Sequence, residues 1–362
     1  MQKAAAKNKK TIAIIVAAVL VIAAVLVITQ PWKGKDVPEL RVYNWGEYID
    51  MQVIENFEKE YGVKVVYDTF SSNEDMYTRL ATGAAYDIVI PSDYMIERLI
   101  REKMLQPIDK NVVTNLNLLY DGVKNLDFDP DNTYSVPYLW QNVGIVYDTT
   151  HISPETVEEK GWSIFLDPAY DGHAYMYNSE RDAFMIAFKA LGFSANTEVE
   201  AEIQAAYEWL REMDRNIHPS YVTDEVIDGM AQGKKWMALV YSGDAAFILS
   251  ENEDMGFCAP KEGTNLAIDC MVIPANAKNP ELANQFINYV LSHDASLLIS
   301  EEVGYASPNA EVLAELSGPG GTYETNDAYL PRFGYALDEI YHDNDVLRKQ
   351  LAELWIKVKA HE

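Results

Sequence analysis

Leu40-Arg41-Val42-Tyr43-Asn44-Trp45-Gly46-Glu47-Tyr48 opens as a strand and closes as a loop. Leu40, Val42 and Asn44 alternate as one face of a strand requires. Two large aromatics, Trp45 and Tyr48, then flank a glycine and an acid, and Gly46 allows backbone angles that a bulky residue resists. A strand that feeds such a loop, with a helix after it, is where α/β proteins hold ligands. The same aromatics would also suit a core, since each buries a large area, and the pattern alone leaves both readings open.

Outward from this stretch, strand and helix patterns alternate. Met51–Tyr61 reads as a helix with Val53, Ile54 and Phe57 on one face and Gly62 closing it. Val63–Phe70 reads as a strand, and Ser72-x-x-Asp75 as the capped start of a helix running towards Gly83. Tyr86–Pro91 is a further strand, followed by a helix to about Lys103. Repeats of this length imply an α/β fold with a mostly parallel sheet covered on both faces. Asp127–Tyr138 is loop-like. Tyr138–Asp148 and Ala267–Pro274 are long apolar runs that read as crossings between two parts of the chain. Helices are expected over 178–191, 200–213, 281–292, 294–303 and the tail, and strands over 236–241 and 256–260. Ser242-Gly243-Asp244 reads as a loop after a strand.

The chain has 362 residues, too many for one ordinary core, so two lobes are expected. Its net charge is −27, and setting aside the four lysines among the first ten residues leaves −31 on the remainder. Such a surface repels nucleic acid and favours cationic partners. Thr11–Thr29 carries no charge over 19 residues, which would span roughly 28 Å as a helix, close to a bilayer core of ~30 Å. With lysines before it, the segment reads as an uncleaved transmembrane anchor that leaves the body outside the cytoplasm. A cleaved signal peptide is the rival, although its apolar region is usually shorter, ~7–15 residues. Cys258 and Cys270 lie on two strand-like runs that a turn at Glu262-Gly263 could make neighbours, so a disulfide and two buried thiols are both open.

Several motifs fail on inspection. Asp127, Asp129 and Asp131 begin like a calcium loop, but Asn132 and Tyr138 stand where Gly and Glu are needed. Gly229–Lys235 is too short for a phosphate loop and lacks the following hydroxyl residue. No sequence pattern nominates a metal, a cofactor or a catalytic nucleophile. What recurs instead is an acid or hydroxyl beside aromatics near strand ends: Trp45/Glu47/Tyr48, Ser92/Asp93/Tyr94, Tyr241/Asp244 and Asp269. Ser179 and Asp182 open a helix and Tyr305 follows one. Asp93 and Asp182 also suit helix starts electrostatically. Asp269 lies inside the apolar run LAIDCMVIP, where a carboxylate needs a compensating charge or hydrogen bonds.

The blocks YNWGEY (43–48), AYDIVIPSDYM (85–95), YSVPYLW (134–140), IDCMVIPANAKNP (268–280) and VGYASPN (303–309) resemble the extracytoplasmic spermidine/putrescine-binding proteins of ABC importers. The resemblance covers about residues 39–362. It implies a two-lobed periplasmic-binding-protein fold, type II-like, with the two crossover strands as hinge. Residues 1–38 would be anchor or signal segment and tether, 39–143 plus 271–318 the first lobe, and 144–270 plus 319–362 the second.

By position, the resemblance gives ligand-binding roles to Trp45, Tyr48, Ser92 and Tyr94, to Asp182, Tyr241 and Asp244, and to Asp269 and Tyr305. It implies a polyamine ligand, putrescine or spermidine, and ABC permease subunits as partners. Ser179 and Ala267 depart from the spermidine-binding pattern, which has Asp and Trp there, and this leaves the length of the polyamine open. Glu339 or Tyr341 could reach the cleft. A diamine, two ammonium heads on an apolar chain, suits carboxylates and aromatic faces. A sensory input module and a carboxylate-dependent enzyme are the other classes compatible with these residues.

Overall fold

The computed structural model describes residues 37–361; the Thr11–Thr29 segment expected as an anchor lies outside them. Among the described residues no helix is long and apolar enough to cross a membrane.

Strand β1 (Glu39–Trp45) pairs in parallel with β2 (Lys64–Phe70), Leu40 opposite Val65 and Trp45 opposite Phe70. On its other side it pairs with β3 (Ile88–Val89). The helix Met51–Tyr61 connects β1 to β2 and buries Val53, Ile54 and Phe57. Asp50 caps its start, and Gly62 ends it with φ 66°, a left-handed conformation that glycine adopts without penalty. Ser72 caps the helix Asn73–Ala81 by accepting from the Asp75 amide. The strand expected over Tyr86–Pro91 is reduced to the two residues of β3.

The remaining strands are β4 (Leu105–Gln106), β5 (Ser135–Asp148), β6 (Ala174–Tyr177), β7 (Ser220–Val222), β8 (Met237–Tyr241), β9 (Met255–Cys258) and β10 (Leu266–Pro274). The sheet runs β2-β1-β3-β10-β5-β8-β6-β7, with β4 beside β10 and β9 beside β5. It is parallel at both ends, but the three central pairings, β3/β10, β10/β5 and β5/β8, are antiparallel. The expected mostly parallel sheet is therefore a mixed one. The chain leaves the first half along β5 and returns along β10, and two such crossings must run in opposite directions.

β5 joins the two halves. Over its 14 residues it extends roughly 45 Å. Ser135–Asn142 pair with β10, and Val143–Tyr147 pair with β8. β9 also pairs with β5, at Ile145–Asp148. Because β8 holds the other edge there, β9 and β10 follow one another along the same edge of β5. They are not side-by-side neighbours, as the turn at Glu262-Gly263 suggested. Cys258 lies opposite Ile145 and Cys270 opposite Pro137, about 26 Å apart along the strand, far beyond disulfide reach. Both are free thiols.

Two apolar cores result. One fills the face of the first half covered by the helices Met51–Tyr61, Pro280–Val290 and His293–Val303. The other runs from the opposite face of that half into the second half, around the helices Glu180–Ala190 and Glu200–Ile217. The helices Pro154–Lys160 and Ala310–Ser317, absent from the sequence reading, are short and are started by Ser153 and Asn309.

The acidic loop before β5 is built around Asp129. Its buried carboxylate accepts from the amides of Thr133 (3.1 Å), Tyr134 (2.9 Å) and Ser135 (2.8 Å) and from the Ser135 hydroxyl (2.7 Å). Asp131 and Asn132 take positive φ, as these residue types tolerate. The aspartates thus serve a turn that launches β5. Replacing Asp129 with Ala leaves buried donors unmatched and should destabilise the protein by about 3 kcal/mol. Asp127→Ala, at an exposed position, should change stability by less than about 0.5 kcal/mol. Urea titration of both variants measures the difference.

Candidate functional site

The loop after β1 is held from inside. Asn44, fully buried, accepts from the Trp45 amide (2.8 Å) and donates to the Tyr48 carbonyl (3.4 Å). The Tyr138 hydroxyl donates to the same carbonyl. The positive φ of this turn falls on Glu47 (49°), while a Cβ on Gly46 would meet open space, so the glycine is not the residue that makes the turn. Glu47 is exposed. Trp45 packs on Phe70, with ring centroids 4.5 Å apart, and its indole N–H has no protein partner. Tyr48 turns inward, and its hydroxyl donates to Asp269 Oδ2 at 2.8 Å.

Asp269 lies beside a bulge of β5, where Tyr138 is skipped in the pairing with β10. The register with β5 shifts between Asp269 and Cys270, and such bulges re-aim side chains. Its other oxygen, Oδ1, accepts from the Ser92 hydroxyl at 2.6 Å. Ser92 precedes the helix Asp93–Arg101, where Asp93 is fully buried and accepts from the amides of Tyr94 and Ile268. Tyr94 presents its ring to the Arg181 guanidinium at 3.8 Å.

The second half supplies Asp182 and Asp244, both in the first turn of a helix. Asp244 lies in the helix Ser242–Glu251; the segment expected as a loop is helical from Ser242, whose hydroxyl is taken up by the Asn142 amide. Asp244 accepts from the hydroxyls of Tyr177 (2.8 Å) and Tyr305 (2.9 Å). Gly243 permits the second contact, since a Cβ there would lie 1.9 Å from the Tyr305 ring. Asp182 accepts from Tyr241 (2.7 Å) and Tyr341 (3.3 Å), and Ser179 caps its helix.

These contacts form one row. Tyr48 links Asp269 to Tyr305 through an edge-on ring contact at 5.2 Å, and Tyr305 leads to Asp244. From there Tyr177 stacks on Tyr241 at 4.5 Å, which leads to Asp182. Seven of the nine residues expected at a site therefore meet along this row: Tyr48, Ser92, Asp182, Tyr241, Asp244, Asp269 and Tyr305. Tyr94 stands beside it, and Trp45 is joined to none of its acids by a hydrogen bond.

Tyr177 and Asn73 belong to the row's surroundings and escaped the sequence reading. Of the pair Glu339 and Tyr341, Tyr341 is the one that arrives. Glu339 is instead taken by Lys189 at 2.8 Å.

Burial pushes the carboxyls of Asp269 and Asp244 up to about 6 and that of Asp182 upward, against the pull of their hydroxyl donors. Burial likewise holds Asp93 at about 7. None of the four is in a salt bridge among the described residues. The neighbouring tyrosines are all raised by burial, Tyr48, Tyr177, Tyr241 and Tyr305 well above their ordinary value, so they act as donors. The arrangement can hold positive charge along a line. It offers no activated nucleophile.

Residues 52–328 match the family described as bacterial extracellular solute-binding protein. The spermidine/putrescine-binding periplasmic protein of Salmonella typhimurium is 37% identical over 278 residues, 76% of this chain and 79% of that one. The putrescine/cadaverine-binding protein of Pseudomonas aeruginosa is 30% identical over 341 residues, covering 89% and 93%. Among solved structures, the spermidine/putrescine ABC transporter substrate-binding protein of Streptococcus pneumoniae superposes with a TM-score of 0.78 at 31% identity, over 90% of this chain and 99% of that one. The fold and these likenesses agree, and this chain belongs to the bacterial extracellular solute-binding proteins.

Proposed function

We propose that this protein captures a linear polyamine, putrescine or spermidine, and presents it to the permease of an ABC importer. The observation that carries the reading is the set of three buried carboxylates, Asp182, Asp244 and Asp269, satisfied by hydroxyls and, among the described residues, held in no salt bridge. A buried anion in that state lacks a counter-charge, and a ligand with ammonium groups supplies it. Tyrosine faces between the acids suit the methylenes, and a cation over such a ring gains ~0.5–2 kcal/mol. Arg181 on Tyr94 exemplifies that contact. Trp45, with a free indole N–H, and Ser92 and Tyr94 complete the ligand's surroundings on the first lobe.

Three acids match the charge of spermidine, and the relatives' names include both spermidine and putrescine. Both ligands therefore stand.

The lobes in this reading are 39–143 with 271–318, and 144–270 with 319–362. They close about β5 and β10 as a hinge. Arg98 to Asp345 at 3.2 Å, Arg101 to Asp343, and Arg348 to Glu74 at 4.0 Å would tie the rim of the closed form. Thr11–Thr29 would anchor the body to the outer face of the cell membrane. Mass spectrometry of membrane fractions should find peptides from residues before Thr11; a mature chain beginning near residue 30 would refute the anchor.

Titration calorimetry with putrescine, cadaverine, spermidine and spermine should show one-to-one binding, with ligand recovered unchanged. Asp269→Asn should weaken it by about 100-fold or more while the fold persists; unchanged affinity would remove Asp269 from the site.

Acidity gives an independent check. The ligand's amines, like Lys with an ordinary value near ~10.4, stay charged throughout. The receiving carboxyls titrate near 6, so affinity should fall as pH drops through about 6. Stability of the empty protein should move the other way. Carboxyls raised above their unfolded value favour the folded state when protonated. Their contribution is present below about 4 and is lost as pH rises through about 6. Calorimetric titrations and thermal melts between pH 5 and 8 read both trends.

A further inference from the structure

We propose that Asn73 is a positioning residue that fixes the proton direction of the Ser92 hydroxyl, so that Asp269 meets only donors and stays the anion an ammonium group requires. The inference rests on the polyamine reading of the site and adds to it a residue that no contact with ligand would reveal.

Asn73 is the first residue of the helix Asn73–Ala81 and is 4% exposed. It does not cap that helix, a task Ser72 performs. Its Oδ1 accepts from the Ser92 amide at 3.3 Å. Its Nδ2 donates to Ser92 Oγ at 3.1 Å and to the Tyr94 hydroxyl at 3.0 Å. A backbone amide can only donate, so it selects the oxygen of the side-chain amide and leaves the two N–H groups to face the hydroxyls.

Each hydroxyl carries one proton. Ser92 Oγ, already receiving an N–H, directs its own proton to the remaining partner, Asp269 Oδ1 at 2.6 Å. Tyr94 by the same logic points its proton at Glu74 Oε1, 3.4 Å away. Asp269 then receives O–H groups from Ser92 and Tyr48, and donors of this kind favour the ionised carboxylate. Without Asn73, the Ser92 hydroxyl loses the N–H that polarises it as a donor and has both lone pairs open, so a protonated Asp269 donates to it more readily. That state cannot bind an ammonium ion.

Several other charged or titratable groups face this cluster. Asp93 approaches from the helix Asp93–Arg101 and Tyr138 from β5. Tyr305 comes from the segment after His293–Val303, and Cys270 adjoins Asp269 on β10. Arg181 lies across Tyr94, and Arg348 approaches Glu74. Asn73 replacement by an uncharged residue leaves all of them in place, so a change in the pH profile reports the hydrogen bonds.

The experiment is calorimetric titration of the full chain with putrescine and with spermidine between pH 5 and 8, for the wild type, Asn73→Leu, Asn73→Asp, Ser92→Ala and Asn73→Leu/Ser92→Ala. Asn73→Leu should weaken binding at pH 7 about tenfold and move the acidic midpoint up by about 0.5 pH or more. In the Ser92→Ala background the same replacement should cost less than about threefold, because its target is gone. Asn73→Asp keeps the shape, adds negative charge and removes both donors; weaker binding supports the proposal, and tighter binding would overturn it. An additive tenfold loss in the Ser92→Ala background, or an unmoved midpoint in Asn73→Leu, would also overturn it. If the wild type binds neither polyamine, the reading of the site falls and this inference with it. If the wild type binds and Asn73→Leu matches it, the inference alone fails.

Discussion

An anion taken out of water has to find a counter-charge, or enough donors to make do without one. Asp182, Asp244 and Asp269 are met by hydroxyl donors and, among the described residues, by no salt bridge, although Arg181 acts on Asp182 from nearby. Each carboxylate accepts from two hydroxyls, and each of those hydroxyls but one belongs to a tyrosine. Neutral donors can be left in place when a cation arrives, because they stabilise the charged acid and do not compete with the newcomer. A lysine or arginine bonded to the same oxygens would have to be displaced. The row is therefore held together by contacts that a bound cation would leave intact.

The architecture is arranged to bring these acids into one row. Asp269 sits on the returning crossover, Asp244 and Asp182 open helices of the second half, and Tyr48 ends a turn of the first. Helix starts add their own partial positive charge beneath two of the acids. The bulge of β5 opposite Asp269 and the bare Cα of Gly243 are two local departures at the acids.

Much of this was legible in the sequence, for identifiable reasons. Asp269 stood out because a carboxylate in LAIDCMVIP contradicts its neighbours. The helix Met51–Tyr61 was legible to the residue because an apolar face and a closing glycine coincide. Tyr177 and Asn73 were not legible: a tyrosine at a strand end and an asparagine at a helix start carry no signal until their partners are placed. The turn at Glu262-Gly263 misled because it implied a hairpin, whereas β5 is long enough to seat β9 and β10 in succession. Ser242-Gly243-Asp244 reads as turn chemistry in isolation, whereas it opens a helix in which the Ser242 hydroxyl accepts from the Asn142 amide.

The double crossing has a mechanical corollary. A single strand between two bodies leaves torsion about its own axis unopposed. Antiparallel β5 and β10, laced together from Leu266 opposite Asn142 to Val272 opposite Ser135, form a ribbon that resists twisting and sideways shear but flexes normal to its plane. Any bending between the halves that such a ribbon allows would be channelled into one direction, which would bring the row of tyrosines and acids back into the same alignment.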